Sequence, residues 1–390
     1  MEAGSSISRV VLEPIPATIV AENETRRRDE NQRLGSCLSG CVELDKYVLL
    51  GGLERGSVVG VSAEREEFGF TLAVQFLAQG LRDGILKTAL VITPRPVGEL
   101  LKGLRDGIRA SLEDASDVET RRLLDRVMLS KVFDLDGVWE VLADLDRRPP
   151  ASSPPREIGD SQDEDDDDGS PGPAARQRPD VIIITNVSSL LTSLFTHRTS
   201  SAAHSTLQLL SSHLRHLSRA MSSRPLVLLL NTTTSSASGT IYSDRSSTST
   251  STSTSTSTST SSKPLDPTLR SIFNPPPPPP GTTRSAAALS RRNKPSFGLV
   301  FTQMLDLHLL CTRVPRSGSD ADLVFAPPVQ GHEQEGRGPS YVTVVEVLLD
   351  EMGVWEGGAG KKGVRRNREQ RWAAVEVRDG KVVDAFASGA

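Results

Sequence analysis

The chain reads as an α/β protein: a mostly parallel, twisted sheet flanked by helices, closed by a C-terminal antiparallel β-meander and interrupted by disordered inserts. Three observations predict this. Short apolar runs and helix-period segments alternate from Val58 to Asn231. The stretch DVIIIT (180–185) is a continuous β-branched run, the mark of a strand covered on both faces. The final block changes character and carries an Asp379-Gly380 hairpin turn signal.

Residues 1–33 are polar and charged and read as a flexible N-terminal arm, with one short strand at RVVLEPI (9–15). The core spans 34–386 and begins with a structured block to Leu145. Within that block VVGVS (58–62) is a strand, and TLAVQFLAQGLRDG (71–84) an amphipathic helix. TALVITP (88–94) is the next buried strand and GELLKGLRDGIRASL (98–112) the next helix. RVMLSKV (126–132) and VWEVLADLD (138–146) form a third strand-helix pair.

Residues 147–178 combine proline, serine and the acidic run DEDDDD; with almost nothing apolar to bury, they are expected to be disordered. DVIIIT then returns to strand. Leu207, Leu210, Leu214, Leu217 and Met221 fall at helical spacing, and PLVLLLN (225–231) is a further strand. Residues 232–294 hold a Ser/Thr repeat and Pro275 to Pro280. Their alternation has no apolar face, so disorder is expected there too. Both inserts fall between regular elements and decorate one core. FGLVFTQMLDLHLLCTR (297–313), SYVTVVEVLLDE (340–351) and WAAVEVRDGKVVDAF (372–386) are expected to be antiparallel strands.

A hydrophobic content of 36% is low for a fully folded chain of 390 residues, in keeping with the inserts. The net charge of −4 is unevenly placed. Residues 151–180 hold nine Asp/Glu against three Arg, a balance of −6, which leaves about +2 for the remainder. That balance neither requires nor excludes a nucleic-acid partner. Cys37, Cys41 and Cys311 make no disulfide framework, so a reducing compartment is expected. No apolar run approaches the ~18 residues that span a bilayer, and no membrane association is expected. His213 and His216 sit three apart on a helix without carboxylate or cysteine support, as solvent-facing histidines do more often than metal ligands. His204 and His308 add no cluster.

The order of these elements, with several local stretches, resembles the ATPase core of the RecA-like strand-exchange recombinases, in particular their eukaryotic paralogues. The stretches are GCVELDKYVLLGGLERGSVVGV, LLDRVMLSKVFDLDGVWEVLADL, RPDVIIITNVSSLL, SFGLVFTQMLDLHLLCTR and RWAAVEVRDGKVVDAF. Each is weak alone; their order is the specific part. The resemblance implies a RecA-like core over 34–145, 178–231 and 296–386.

It also implies where nucleotide chemistry would lie. A phosphate loop needs Gly-x-x-x-x-Gly-Lys-Ser/Thr, because backbone amides must approach the phosphates and the lysine neutralises them. Here AEREEFGFT (63–71) places Glu64 at the first glycine, Gly69 at the second, Phe70 at the lysine and Thr71 at the hydroxyl. Glu64, Glu66 and Glu67 would set carboxylates against a polyphosphate. The position of the magnesium-holding aspartate is Thr185, with Asn186 beside it. Pro94 stands near the water-activating glutamate, and Thr232 near the phosphate-sensing glutamine. All four positions are replaced, which implies degenerate nucleotide motifs and no catalytic residue. No cofactor is therefore expected; ATP with magnesium is the alternative, should the altered loop still bind. Simpler roles stand beside these: Phe70 packing on the sheet, and the Asn186 side chain capping a strand end.

GKKGVRRNREQR (360–371) gathers Lys361, Lys362, Arg365, Arg366, Arg368 and Arg371 between two strands. Such a basic hairpin contacts DNA phosphates, serves nuclear import, or is a merely solvated loop. In the resembled family the loop after the Asn-terminated strand touches single-stranded DNA; here the Ser/Thr- and proline-rich insert occupies that place.

Three readings of function follow. The first is a non-catalytic recombinase paralogue in the nucleus, acting in DNA repair by homologous recombination. It would be a subunit of a heteromeric mediator complex that assists recombinase filaments on single-stranded DNA, with recombinase-family subunits as partners and single-stranded or branched DNA as a further contact. The second is a DNA-dependent ATPase of the same fold. The third is a DNA-binding accessory factor that uses the basic hairpin 360–371.

Overall fold

Strand β6 (Val181–Ile184) shows why the sheet lies where it does. All four residues are buried, and they alternate between two apolar layers: Val181 and Ile183 face one, Ile182 and Ile184 the other. Strand β3 (Val58–Ala63), β4 (Ala89–Thr93) and β7 (Leu226–Thr234) share this sandwiching. A strand that must be apolar on both faces is the sequence signature of a parallel sheet under two helix layers.

The structure is a computed structural model that describes residues 14–112, 116–146, 178–234, 271–273, 293–325, 338–352, 355–357, 361–363 and 371–386. The short strands β1 (Ser36–Cys37) and β2 (Leu53–Glu54) pair with each other. The remaining parallel strands are β5 (Val127–Lys131) and β9 (Leu307–Pro315), giving the order β9-β3-β7-β6-β4-β5. The antiparallel extension β10 (Tyr341–Asp350), β13 (Trp372–Arg378) and β14 (Lys381–Asp384) follows on the β9 side. Between them, β11 (Trp355–Gly357) and β12 (Lys361–Gly363) form a separate two-stranded ribbon. This is the expected α/β architecture, mostly parallel with a terminal antiparallel meander.

One layer holds α2 (Glu66–Arg82), α3 (Val97–Ser111) and α4 (Asp117–Leu124). The other holds α5 (Leu135–Asp146), α6 (Val187–His197), α7 (Ser200–Ala220) and the short α8 (Gly298–Thr302). Local chemistry sets several of their limits. Ser116 accepts a hydrogen bond from the Glu119 amide at 3.2 Å, the first half of a Ser-x-x-Glu capping box. Thr199 accepts from the Ala202 amide at 3.4 Å and starts α7. Gly60 on β3 lets α8 and the turn after it approach closely, for a Cβ there would lie 3.0 Å from Phe301 and 2.3 Å from Leu305.

Several expectations are corrected. Most of the arm read over 1–33 is α1 (Ala17–Leu34), docked at its C-terminal end: Arg224 donates to the Arg27 carbonyl and to Asn31, both at 3.1 Å, and ion-pairs with Glu30. The strand read at 9–15 falls largely outside the described residues. The segment 297–304 is not strand: Phe297 takes a left-handed conformation (φ 61°) and starts α8, so β9 begins only at Leu307 and runs parallel to β3. A helix α9 (Gly318–Phe325) follows β9. The insert read as 232–294 begins later, because β7 continues to Thr234 and pairs with β8 (Lys294–Pro295). Inside it, Phe273 packs edge-on against Trp372 at 5.0 Å and the Ile272 amide donates to buried Glu346. Residues 147–177 of the acidic insert lie outside the described residues.

Candidate functional site

The connection between β3 and α2 is only two residues, Glu64 and Arg65. The helix therefore starts three residues before Gly69, and the positions that would wrap a phosphate are wound into its first turn. The aligned stretch thus has helical geometry where a phosphate loop needs a wide backbone arc of inward amides.

Each aligned residue has a different engagement. Gly69 lies against β3, where a Cβ would meet Ala63 at 3.6 Å and Val61 at 3.9 Å, ordinary contacts that do not demand glycine. Phe70 packs on α3 instead of the sheet, the reverse of the simple expectation. Gly103 faces it, and a Cβ there would stand 2.9 Å from the ring. Thr71 turns its hydroxyl back along the helix and donates to the Glu67 carbonyl at 2.8 Å. Glu66 pairs with Arg95 at 2.5 Å, and burial raises its carboxyl above the usual range, against the pull of Arg95. Glu64 accepts from the Arg313 amide at 3.3 Å.

At the strand ends, Thr185 is buried and donates to the Thr93 hydroxyl at 2.8 Å. Arg95, just beyond Pro94, donates its amide to the same Thr93 oxygen at 3.1 Å. Thr232 shares a hydrogen bond with Ser296 at 3.2 Å. ATP and magnesium do not fit these groups. The two carboxylates of the first helical turn oppose an anion, and neither strand-end hydroxyl carries the charge a magnesium shell requires.

Asn186 does not cap a strand with its side chain. It sits in the left-handed region (φ 54°) at the start of α6, and its Oδ1 is buried with no hydrogen-bond partner. His213 is not simply solvent-facing either: it lies 4.8 Å from the Trp139 ring. His308 is fully buried between Ser62 at 2.9 Å and Thr302 at 3.2 Å, and burial pushes its imidazole down to about 3. Asn231 extends this polar chain by donating to Ser62 at 3.2 Å and to the Ser296 carbonyl at 3.0 Å. The chain ties the C-terminal halves of β3 and β7 to the start of β9.

The turn divides two clefts. One, of about 440 Å³, opens toward β9, β10 and β13, where Arg313 stacks over the Tyr341 ring at 4.3 Å. The other, of about 400 Å³, lies between α2 and α3 and gathers Phe70, Thr71, Thr185 and Asn186. The structure thus brings three aligned positions, Phe70, Thr71 and Thr185, to one cleft, with Thr71 also reaching the other, where Glu64 lies.

The basic candidates separate. Lys361 and Lys362 are in β12, and Arg365, Arg366 and Arg368 lie outside the described residues. Arg371 is withdrawn from any DNA-facing set. Its side chain is 1% exposed, ion-paired with Asp350, and donates to the Val48 carbonyl at 3.0 and 2.7 Å.

Sequence reasoning missed Arg95, Glu99 and Asp106, which line the cleft opposite α2. One signal was available: Gly103 and Gly107, one helical turn apart, let α2 and α3 approach. A Cβ at Gly107 would come within 2.8 Å of Val74. No group of three or more His, Cys, Asp or Glu able to hold a metal occurs among the described residues. No described helix is long and apolar enough to cross a membrane.

No known family profile matches the chain, and no curated protein matches it. Among solved structures it is similar to the RadB recombinase, at 12% identity and a TM-score of 0.45, over 90% of this chain and 100% of that one.

Proposed function

We propose that this chain is a non-catalytic, partner-binding protein with a RecA-like core, acting in DNA repair by homologous recombination. Its place is that of a nuclear subunit in a heteromeric mediator complex that assists recombinase filaments on single-stranded DNA. The observation that carries the non-catalytic part is the two-residue Glu64–Arg65 turn, with Phe70 packed on Gly103 where a lysine would reach phosphate. The recombination setting comes from the resemblance of the ordered motifs.

A surface for a protein partner supports the same reading. Strand β5 ends the sheet, and only β4 pairs with it among the described residues. Met128 on that strand is 39% exposed, and Phe133 just beyond it is 82% exposed. An edge strand with an unpaired backbone and an apolar side chain beside it accepts an added strand.

The test is co-purification with recombinase-family subunits, run beside a nucleotide titration. The reading expects a stable complex that Phe133→Asp weakens, and no saturable ATP binding at micromolar concentration. Micromolar ATP affinity abolished by Thr71→Ala would instead establish the ATPase alternative. A second reading, DNA binding through the basic segment, draws on the placement of Lys361 and Lys362 in the β11–β12 ribbon. It expects salt-dependent single-stranded DNA binding, lost when those lysines with Arg365, Arg366 and Arg368 are neutralised.

A further inference from the structure

The hairpin of β13 and β14 overhangs the sheet. Strand β13 pairs with β10 from Trp372 to Val375, whereas Glu376, Val377 and Arg378 pair only with β14 among the described residues. Residues 376–383 are thus a two-stranded arm beyond the sheet, and a lone two-stranded ribbon is marginal in water. Of its side chains only Val382 is buried. The turn of the arm, Asp379-Gly380, has both residues in the left-handed region, at φ 50° and 78°. It lines the cleft between α2 and α3 and lies against α3, where a Cβ on Gly380 would stand 3.2 Å from that of Ala110.

The arm is held down at one residue. Buried Gln75 of α2 accepts from the Val382 amide at 2.7 Å through Oε1 and donates to the Val382 carbonyl at 2.9 Å through Nε2. A side-chain amide on a helix thereby supplies the two bonds that a neighbouring strand would make. Cys41 donates to the same carbonyl at 2.9 Å. The root of the arm is fixed separately. Asp384, opposite Val375, accepts from the Val42 and Glu43 amides at 3.0 and 3.3 Å, and Glu376 pairs with Arg316. A segment with one buried apolar side chain and a single polar clasp belongs to the least stable part of a fold, which opens while the rest stays folded.

We propose that residues 376–383 are a lid on the cleft between α2 and α3, clasped by Gln75 at Val382 and opening as a unit about its root at Val375 and Asp384. Opening withdraws Asp379 and Gly380 from the lining and uncovers Ala110 at that end of the cleft. The lid rests on pairing and packing alone and stands apart from the recombination setting.

The experiment follows amide hydrogen exchange in the full chain. The Val382 amide, whose partner is the Gln75 side chain, reports the lid; Ile183, inside the central sheet, reports global unfolding. Val382 should be about tenfold or more less protected than Ile183, and its exchange should depend little on added denaturant. Equal protection with one denaturant slope overturns the lid, by showing that the arm leaves only when the whole protein unfolds. Gly380→Cys/Ala110→Cys then brings two thiols within reach of a disulfide. Its reduced form is the reference, so backbone strain at Gly380 cancels. Oxidation should raise Val382 protection about tenfold or more and leave Ile183 unchanged; unchanged Val382 also overturns the lid. The clasp is tested by spin labels on Asp379→Cys/Lys102→Cys, both exposed positions. Adding Gln75→Leu should introduce a second, longer distance between the labels, and an unaltered distribution removes Gln75 from the device. The disulfide comparison decides the lid even where Gln75→Leu fails to fold.

Discussion

Arg371 and Asp350 form a buried ion pair that joins the lead-in to β13 with the end of β10. Arg371 also donates twice to the carbonyl of Val48, in the π-helical turn Leu44–Val48. Three chain segments meet on one guanidinium. Removing it leaves the Asp350 carboxylate buried without that partner, so Arg371→Ala should cost about 3–5 kcal/mol in urea unfolding. Unchanged stability together with weakened DNA binding would return Arg371 to the DNA-contacting set.

Gly69→Ala should be neutral or stabilising by up to about 1 kcal/mol, because the residue is helical, in the first turn of α2, and its new methyl meets only ordinary contacts. In a working phosphate loop the same change would block backbone approach. Thermal unfolding measures it, and a large loss of stability would show a constraint on this glycine beyond packing.

Phe70→Lys restores the lysine that the resembled loop requires, yet it should not create ATP binding. The backbone from Glu66 onward remains helical and Glu66 and Glu67 remain in its first turn. The variant should also lose about 1–2 kcal/mol, since a half-buried ring leaves its seat on α3. A fluorescent ATP analogue saturating at micromolar concentration would overturn this.

Acid should destabilise the protein through His308. Burial holds its folded-state imidazole near 3, below the ordinary 6.5. Between those values the unfolded chain binds a proton that the folded chain refuses, so stability falls as pH drops from about 6.5 toward 3. The slope from this one group is about 1.4 kcal/mol per pH unit. His308→Gln should flatten that portion of the profile; an unaltered slope would assign the acid sensitivity to other groups.

The three thiols should be silent in the native protein. Cys37, Cys41 and Cys311 are all buried, and burial raises Cys37 and Cys41 to about 12 and moves Cys311 in the same direction. A thiol-titrating disulfide reagent should report three equivalents only after denaturant is added. Rapid reaction of even one native thiol contradicts this.

The parallel sheet was legible because its strands are apolar on both faces; DVIIIT and PLVLLLN admit little else. The meander was legible from β-branched residues and Asp379-Gly380. FGLVFTQ misled, since five apolar or β-branched residues look alike in a strand and in a short buried helix. Only the left-handed Phe297 and the close approach at Gly60 decide it. The altered phosphate-loop residues were legible one by one, but the length of the turn was not. Glu66, where the helix begins, is held by Arg95, 29 residues away, a contact no local stretch shows. The cleft between α2 and α3 escaped for the same reason: Glu67, Glu99, Asp106 and Asp379 are scattered in sequence and meet only in three dimensions. Arg371 was misassigned because a local count of basic residues cannot see that one of them turns inward.

Strand β14 carries an implication for how the molecule is made. Buried Gln75 of α2 donates to the Val382 carbonyl at 2.9 Å and accepts from its amide at 2.7 Å, while Cys41 donates to the same carbonyl. These partners are 307 and 341 residues apart. During synthesis the early helix layer therefore has only Ser39 to hold the Gln75 amide, at 2.5 Å, and its side-chain oxygen waits for Val382, 307 residues on. Translation that stalls before β14 leaves this flank of α2 uncovered and the Gln75 oxygen without its amide.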